Sequence, residues 1–360
     1  MRTLSFTAKL FVLVTLPLAG LAFFGINSAL QKWRIYRDNV VLAQNSAVLQ
    51  QIGSTVHELQ KERARSAGFL GSKGTQFAAE LGQQRQVADA VLAKLNELLQ
   101  TFDAARFGAE FQGKMQAGLG ALGKLPDKRS AINGLSLVAA ESTAYFSQTI
   151  ATLLDVVVAM SHLSKDADIA NGISCYVNFV RAKEQAGIER AILTAVFSAD
   201  RFTNDTLRRF SQIVSVQDTF LRVFESFASG EQRRFFTEKV RGSVVEAVAQ
   251  MRQRASEKAD TGGFGIAVSA WFDASSARID LMKEVEDRLA ADYAQNADQI
   301  KNGARREFVL FALATAVILS LTLVACWRIV RSITGPLRRI IAELTSGSEQ
   351  VAAAAGQVSG

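Results

Sequence analysis

Apolar positions recur along this chain at the three- and four-residue spacing of a helix almost from end to end. Leu207, Phe210, Val214, Gln217, Leu221, Phe224 and Ala228 mark one such stripe, and Ile213, Phe220 and Phe227 widen it. A phenylalanine stripe at this spacing reads as the core of a helical bundle. The period-two alternation of a half-buried strand is nowhere sustained. Only three prolines occur, Pro17, Pro126 and Pro336, so the stretch from Asp127 to Gly335 can hold several long helices without an obligatory kink. Breaks are predicted at Gly71 to Gly74, at Pro126 and Asp127, at Ser229 and Gly230, and from Thr261 to Gly265. They divide the middle of the chain into about seven or eight helices. Long helices with short connections favour antiparallel packing, and the length suits two four-helix bundles sharing long helices. The expected fold class is all-α.

Two runs depart from this amphipathic pattern because they are apolar all round. Leu10 to Gln31 and Phe308 to Trp327 contain no charged residue, and each is about long enough to cross a hydrocarbon core of roughly 30 Å as helix. The first is too long for the apolar region of a cleaved signal peptide and is followed by no A-x-A-like site, so it reads as an anchor. The segments expected are 1–9 as an N-terminal stub, 10–31 and 308–327 as transmembrane helices, 32–306 as a helical domain between them, and 328–360 as a following helix. Lysines and arginines flank both sides of the two runs about equally, so charge bias does not set an orientation.

The formal charge of +7 raises nucleic acid as a partner, but the arginines are scattered among nearly as many carboxylates, with no basic block; no nucleic acid is expected. Cys175 and Cys326 make no disulfide framework or thiolate metal site, Cys326 lying in the second apolar run. His57 and His162 belong to no HExxH, HxxxH or nucleophile-elbow arrangement. His57 with Glu58 and Glu62 reads as a solvated helix face before a metal site. Asp166 and Asp168, in SKDADIANG, read as a turn or helix end without the other ligands of a calcium loop. No metal, cofactor or enzymatic activity is expected.

Two arginines stand on faces where charge is out of place. On a helix, Arg63 shares its side with Leu59, Gln60, Ser66, Ala67 and Leu70, whereas Arg65 falls with Glu58, Lys61 and Glu62 on a set that looks solvated. Arg190 falls with Ala186, Gly187, Leu193, Thr194 and Phe197. Both guanidiniums should point inward, and neither face offers a local carboxylate. A buried guanidinium costs several kcal/mol unless it meets an anion. Three arrangements satisfy that demand: a carboxylate from another helix, a stem along the core with its head in water, or a bound planar oxyanion held by the two forks. Ala67, Ala186 and Gly187 leave room for the last.

The segments around these arginines, LQKER at Leu59–Arg63 and the later Lys183, Glu184, Gly187, Glu189, Arg190 and Ala191, resemble the paired motifs of the nitrate- and nitrite-sensing (NIT) domain. The resemblance covers roughly Gln50 to Arg254. It implies an all-helical pair of four-helix bundles in which one arginine from each motif holds nitrate or nitrite, here Arg63 and Arg190. Leu59, Gln60, Ser66, Ala67, Ala186, Gly187 and Thr194 are then candidate pocket lining.

The segment after the second apolar run, RIVRSITGPLRRIIAELTSGSEQVAAAAGQVSG, resembles the entry to the cytoplasmic part of methyl-accepting chemotaxis receptors, with Pro336 where a HAMP linker would begin. That resemblance implies a homodimeric two-pass receptor of a bacterial inner membrane with a periplasmic sensor, a helix shift passed through the second span, and a chemotaxis adaptor and kinase as partners. The alternatives are the input half of a membrane histidine kinase or cyclic-dinucleotide synthase, or a structural bundle without ligand.

Overall fold

In the computed structural model the described residues are 6–161 and 167–358, and every regular element among them is helical. The helices are α1 (Phe6–Gly71), α2 (Ala78–Gln100), α3 (Gly108–Gly123), α4 (Leu125–Asn133), α5 (Ala139–Ser161), α6 (Ala167–Ala199), α7 (Asn204–Phe227), α8 (Gly230–Lys239), α9 (Ser243–Glu257) and α10 (Val268–Val358), with a 3₁₀ turn at Ala104–Phe107. His162 and Asp166 lie outside the described residues, and Asp168 falls in the first turn of α6.

The expected breaks are where the helices end. Pro126 stands in the first turn of α4, where a missing N–H costs nothing. Thr203 and Ser229 cap α7 and α8 through reciprocal bonds with Thr206 and Gln232. Gly262 has φ +66°, and a Cβ there would stand 2.5 Å from the Asp200 carbonyl, so the turn before α10 needs glycine on both counts. The described helices outnumber the expectation because the turn at 134–138 and the Val240–Gly242 corner divide what the sequence pattern runs together. Pro17 and Pro336 interrupt nothing: α1 and α10 run through them. Proline's fixed φ is already helical, and the single hydrogen bond it forfeits need not end a long helix.

The chain divides into two compact units, one from its two ends, up to Val40 and from Ile300, and one spanning Val41–Gln299. In the first unit α1 and α10 meet closely at Gly25, where a Cβ would stand 2.6 Å from the Thr315 methyl. Trp33 packs on Phe308 with centroids 5.3 Å apart, and Lys32 pairs with Glu307 at 3.0 Å. The charge-free runs leave large side chains such as Leu13, Phe24, Leu313 and Leu321 exposed, and α1 and α10 are long and apolar enough to cross a membrane. So is α5, whose apolar stretch is instead half-buried inside the second unit.

The second unit is built from helix faces. In α7 the buried positions Phe210, Gln217 and Phe224 recur every seventh residue, while Phe227 is exposed and does not widen the stripe. Phe224 joins Phe179 and Phe236 in an edge-to-face triangle. A second core gathers Leu193, Val196 and Phe197 of α6, Phe210, Val248, Ala255, Phe264 and Trp271. On the other side, α3 approaches α5 closely at Gly118, beside Leu153 and Val156, and Tyr145 donates to the Ala121 carbonyl at 2.9 Å.

Candidate functional site

Between Val48 and Ser66, α1 is buried on nearly every side: Leu49, Ile52, Val56 and Leu59 are covered, but so are His57, Gln60, Glu62, Arg63 and Ser66. The middle of α6, from Tyr176 to Glu189, is the same. Helices enclosed all round have no wet face for their charges, so each charge must find a partner on another helix.

The partners repeat in the two halves of the unit. Glu62, fully buried, accepts both arms of Arg129 at 2.7 Å and lies 3.3 Å from Arg85. Glu189, also buried, is held by Arg252 of α9 and by Arg278 of α10, the latter at 3.2 Å. Each glutamate precedes one of the two candidate arginines, so each Glu-Arg-Ala triplet spends its carboxylate outward and turns its guanidinium the other way. The face expected to be solvated is therefore covered: Glu62 is enclosed, and Arg65 donates to Gln84 at 2.7 Å. Face assignment from one helix presumes a single buried side, and α1 has several.

Arg63 is 4% exposed, and its fork meets both oxygens of Glu184, with Nη2 at 3.2 Å from Oε2. Its Nη1 also donates to Ser147 Oγ at 2.8 Å. Gln60 holds the same glutamate, donating to Oε2 at 2.7 Å. Of the three arrangements open to it, Arg63 takes a carboxylate from another helix, one that comes from the other motif, 121 residues along the chain. Gly187 lets the arginine in, since a Cβ there would stand 3.1 Å from Nη2.

Arg190 has no such partner. Its Nη1 donates to Ser276 Oγ at 2.8 Å, the Phe272 ring lies 5.1 Å beneath its guanidinium, and no carboxylate among the described residues stands within ion-pairing distance. Burial, then the nearby Arg63 charge, push its pKa down to about 10, with the exposed Asp280 pulling the other way. Glu184 thus pairs with Arg63, and the half-buried Arg190 is left without a carboxylate of its own.

Of the candidate lining, Leu59 and Ala186 are buried apolar contacts and Ala67 is half-buried. The buried Ser66 hydroxyl has no hydrogen-bond partner, and Thr194 donates to the Arg190 carbonyl at 2.7 Å. Ser147, Phe272 and Ser276 escape a sequence reading because they reach the arginines from α5 and α10. Glu184 did carry a signal: each motif holds charges of both signs, as two enclosed helices that neutralise one another require.

His57 is also enclosed, against the expectation of a solvated face, and the described residues hold no group of His, Cys, Asp and Glu that could bind a metal. Its Nδ1 lies 3.5 Å from Lys183 Nζ, which is fully buried and paired with Glu286. Burial, then Lys183, lower its pKa to about 2. In the unfolded chain it takes its proton near pH 6.5. Between those values the unfolded state binds more protons, so stability falls as the medium is acidified. Lowering the pH from 7 to 5 should cost wild type about 2 kcal/mol more than it costs His57→Gln, measured by urea denaturation. Equal losses would place a protonated imidazole in the fold.

A family model described as nitrate and nitrite sensing, NIT, matches residues 54–294. The chain belongs to this family. The nitrate regulatory protein of Klebsiella oxytoca is 27% identical over 278 residues, which cover 77% of this chain and 68% of that protein. A solved structure of the NasR transcription antiterminator superposes with a TM-score of 0.69 at 24% identity, covering 89% of this chain and 88% of that one, a likeness of fold.

These relatives overturn the chemotaxis reading. One is named a nitrate regulatory protein and the other a transcription antiterminator, and neither name is that of a receptor with a chemotaxis adaptor and kinase. The receptor resemblance rested on Pro336 and on the composition of the last helix, and α10 passes through Pro336 without a break. The same relatives overturn the two-pass inner-membrane placement with a periplasmic sensor. Length and hydropathy give two runs the capacity to cross a bilayer; they do not assign a compartment. The exclusion of nucleic acid does not stand either: scattered arginines rule out a basic block only, and the structure with the similar fold is that of a protein named a transcription antiterminator.

Proposed function

We propose that this chain is a nitrate- or nitrite-responsive regulator without enzymatic activity, whose anion site lies between α1 and α6 at Arg63 and Arg190. The observation that carries the reading is the half-buried charge in excess at Arg190, beside Arg63, with hydroxyl groups and a glycine around the pair and no carboxylate within ion-pairing distance of Arg190 among the described residues. A planar oxyanion matches two guanidinium forks, and neutralising the pair favours the packing in which their helices lie close. Residues 32–306 form the sensor, as two four-helix bundles sharing the long helices, and 10–31 and 308–327 are its apolar flanks. The family membership and the regulatory names of the relatives support this reading over a catalytic one.

Calorimetric titration of the full chain with sodium nitrate and sodium nitrite tests it. Arg190→Ala should weaken binding at least tenfold, or about 1.4 kcal/mol. Absence of binding to wild type, or unchanged affinity in the variant, would remove the site.

A further inference from the structure

We infer that Glu184 determines which anions the site accepts, its one carboxylate leaving the two guanidiniums a single positive charge in excess, so that a monovalent oxyanion is admitted and a divalent one refused. The inference rests on the reading of Arg63 and Arg190 as the anion site. Glu184 is held in place from two sides, by the Arg63 fork and by Gln60, and is itself buried. It is therefore a fixed part of the site's charge and not a surface group that water could screen.

The neighbouring charges do not alter the count. Lys183, next in the chain, is paired with Glu286, which also faces Lys283 at 3.7 Å. His57 is held neutral beside Lys183. Arg65 is turned to Gln84, and Asp280, whose charge also acts on Arg190, is exposed on α10, where water and salt screen it. Glu62 and Glu189 are consumed by their own arginines. What remains is Arg63, Arg190 and Glu184, with a net charge of about +1 for an entering anion to cancel. Nitrate or nitrite brings that sum to zero. Sulfate would overshoot it and leave an uncompensated negative charge beside a carboxylate that cannot move away without abandoning Gln60 and Arg63.

The same geometry gives Glu184 a second effect on affinity. Its oxygens occupy the Arg63 fork that an oxyanion would use, so the anion competes with it for Nη1 and Nη2. Removing the negative charge should therefore strengthen anion binding while it relaxes discrimination.

Titration of the full chain with sodium nitrate and sodium sulfate at constant ionic strength provides the test. Wild type should bind nitrate at least 100-fold more tightly than sulfate. Glu184→Gln keeps the shape and loses the charge; its preference should fall below tenfold, chiefly through a gain of tenfold or more in sulfate affinity. Glu184→Asp keeps the charge on a shorter arm, so it should still refuse sulfate while binding nitrate more tightly than wild type. If wild type binds nitrate and Glu184→Gln keeps the full preference, the role of Glu184 is overturned and the arginine site stands. If wild type binds no nitrate, both fall together. Should Glu184→Gln lose its helical circular dichroism, Glu184→Asp decides alone, and acceptance of sulfate by that variant overturns the inference.

Discussion

Glu189→Ala is expected to destabilise the chain by about 3–5 kcal/mol, the cost of leaving a buried charge without its partner. Glu189 is fully buried and receives Arg252 through Nε and Nη2 and Arg278 through Nη2. Its removal strands two guanidiniums that are themselves largely covered. The only other acceptor they share is Gln217 Oε1, which Arg252 reaches at 2.5 Å and Arg278 at 3.4 Å. A neutral amide accepts a hydrogen bond but does not cancel charge, so it recovers a minor part of the loss. Urea denaturation followed by helical circular dichroism reads the effect. Glu189→Gln, which retains an acceptor, should lose less than the alanine variant. A loss below about 1 kcal/mol for Glu189→Ala would mean that both arginines reach water, as exposed pairs do.

The same reasoning shows what was legible in the sequence. Helix ends at Gly71, Pro126, Ser229 and Gly262 follow from local backbone chemistry, which neighbouring residues fully specify. The inward turn of Arg63 follows from the residues one helical turn away on α1. What could not be read was the environment of the other faces. Glu62 shares a side with Lys61 and Arg65 and looks wet, yet Arg85 and Arg129 cover it from α2 and α4. Glu184 looks like one more charge in a charged motif until α1 and α6 are set side by side. The serines on Arg63 and Arg190, Ser147 and Ser276, lie 84 and 86 residues away and carry no pattern of their own. Separations of that length are fixed by tertiary packing, and periodicity within one helix has no access to it. The apolar runs at the chain ends illustrate the converse: their composition is unmistakable, but composition alone assigns them no compartment.

Trp271→Ala is the second large effect expected, at about 3–5 kcal/mol for emptying an aromatic core position. Trp271 is fully buried on α10, edge-to-face with Phe197 at 5.6 Å, inside the core that joins α6, α7, α9 and Phe264. Its indole N–H also donates to the Arg190 carbonyl at 3.0 Å. That bond places one stretch of α10 around the whole of Arg190: Trp271 on its backbone, Phe272 beneath its guanidinium and Ser276 on its Nη1. Trp271→Phe separates packing from polarity. It keeps most of the ring volume and loses the N–H, while Thr194 still satisfies the carbonyl at 2.7 Å, so the stability lost should be only about 1 kcal/mol. The two variants measured by urea denaturation should differ accordingly, with the alanine change the larger by severalfold. Equal losses would assign the tryptophan's contribution to its hydrogen bond rather than to the core, and would make the position of Arg190 depend on a single polar contact instead of on the packing of α6 against α10.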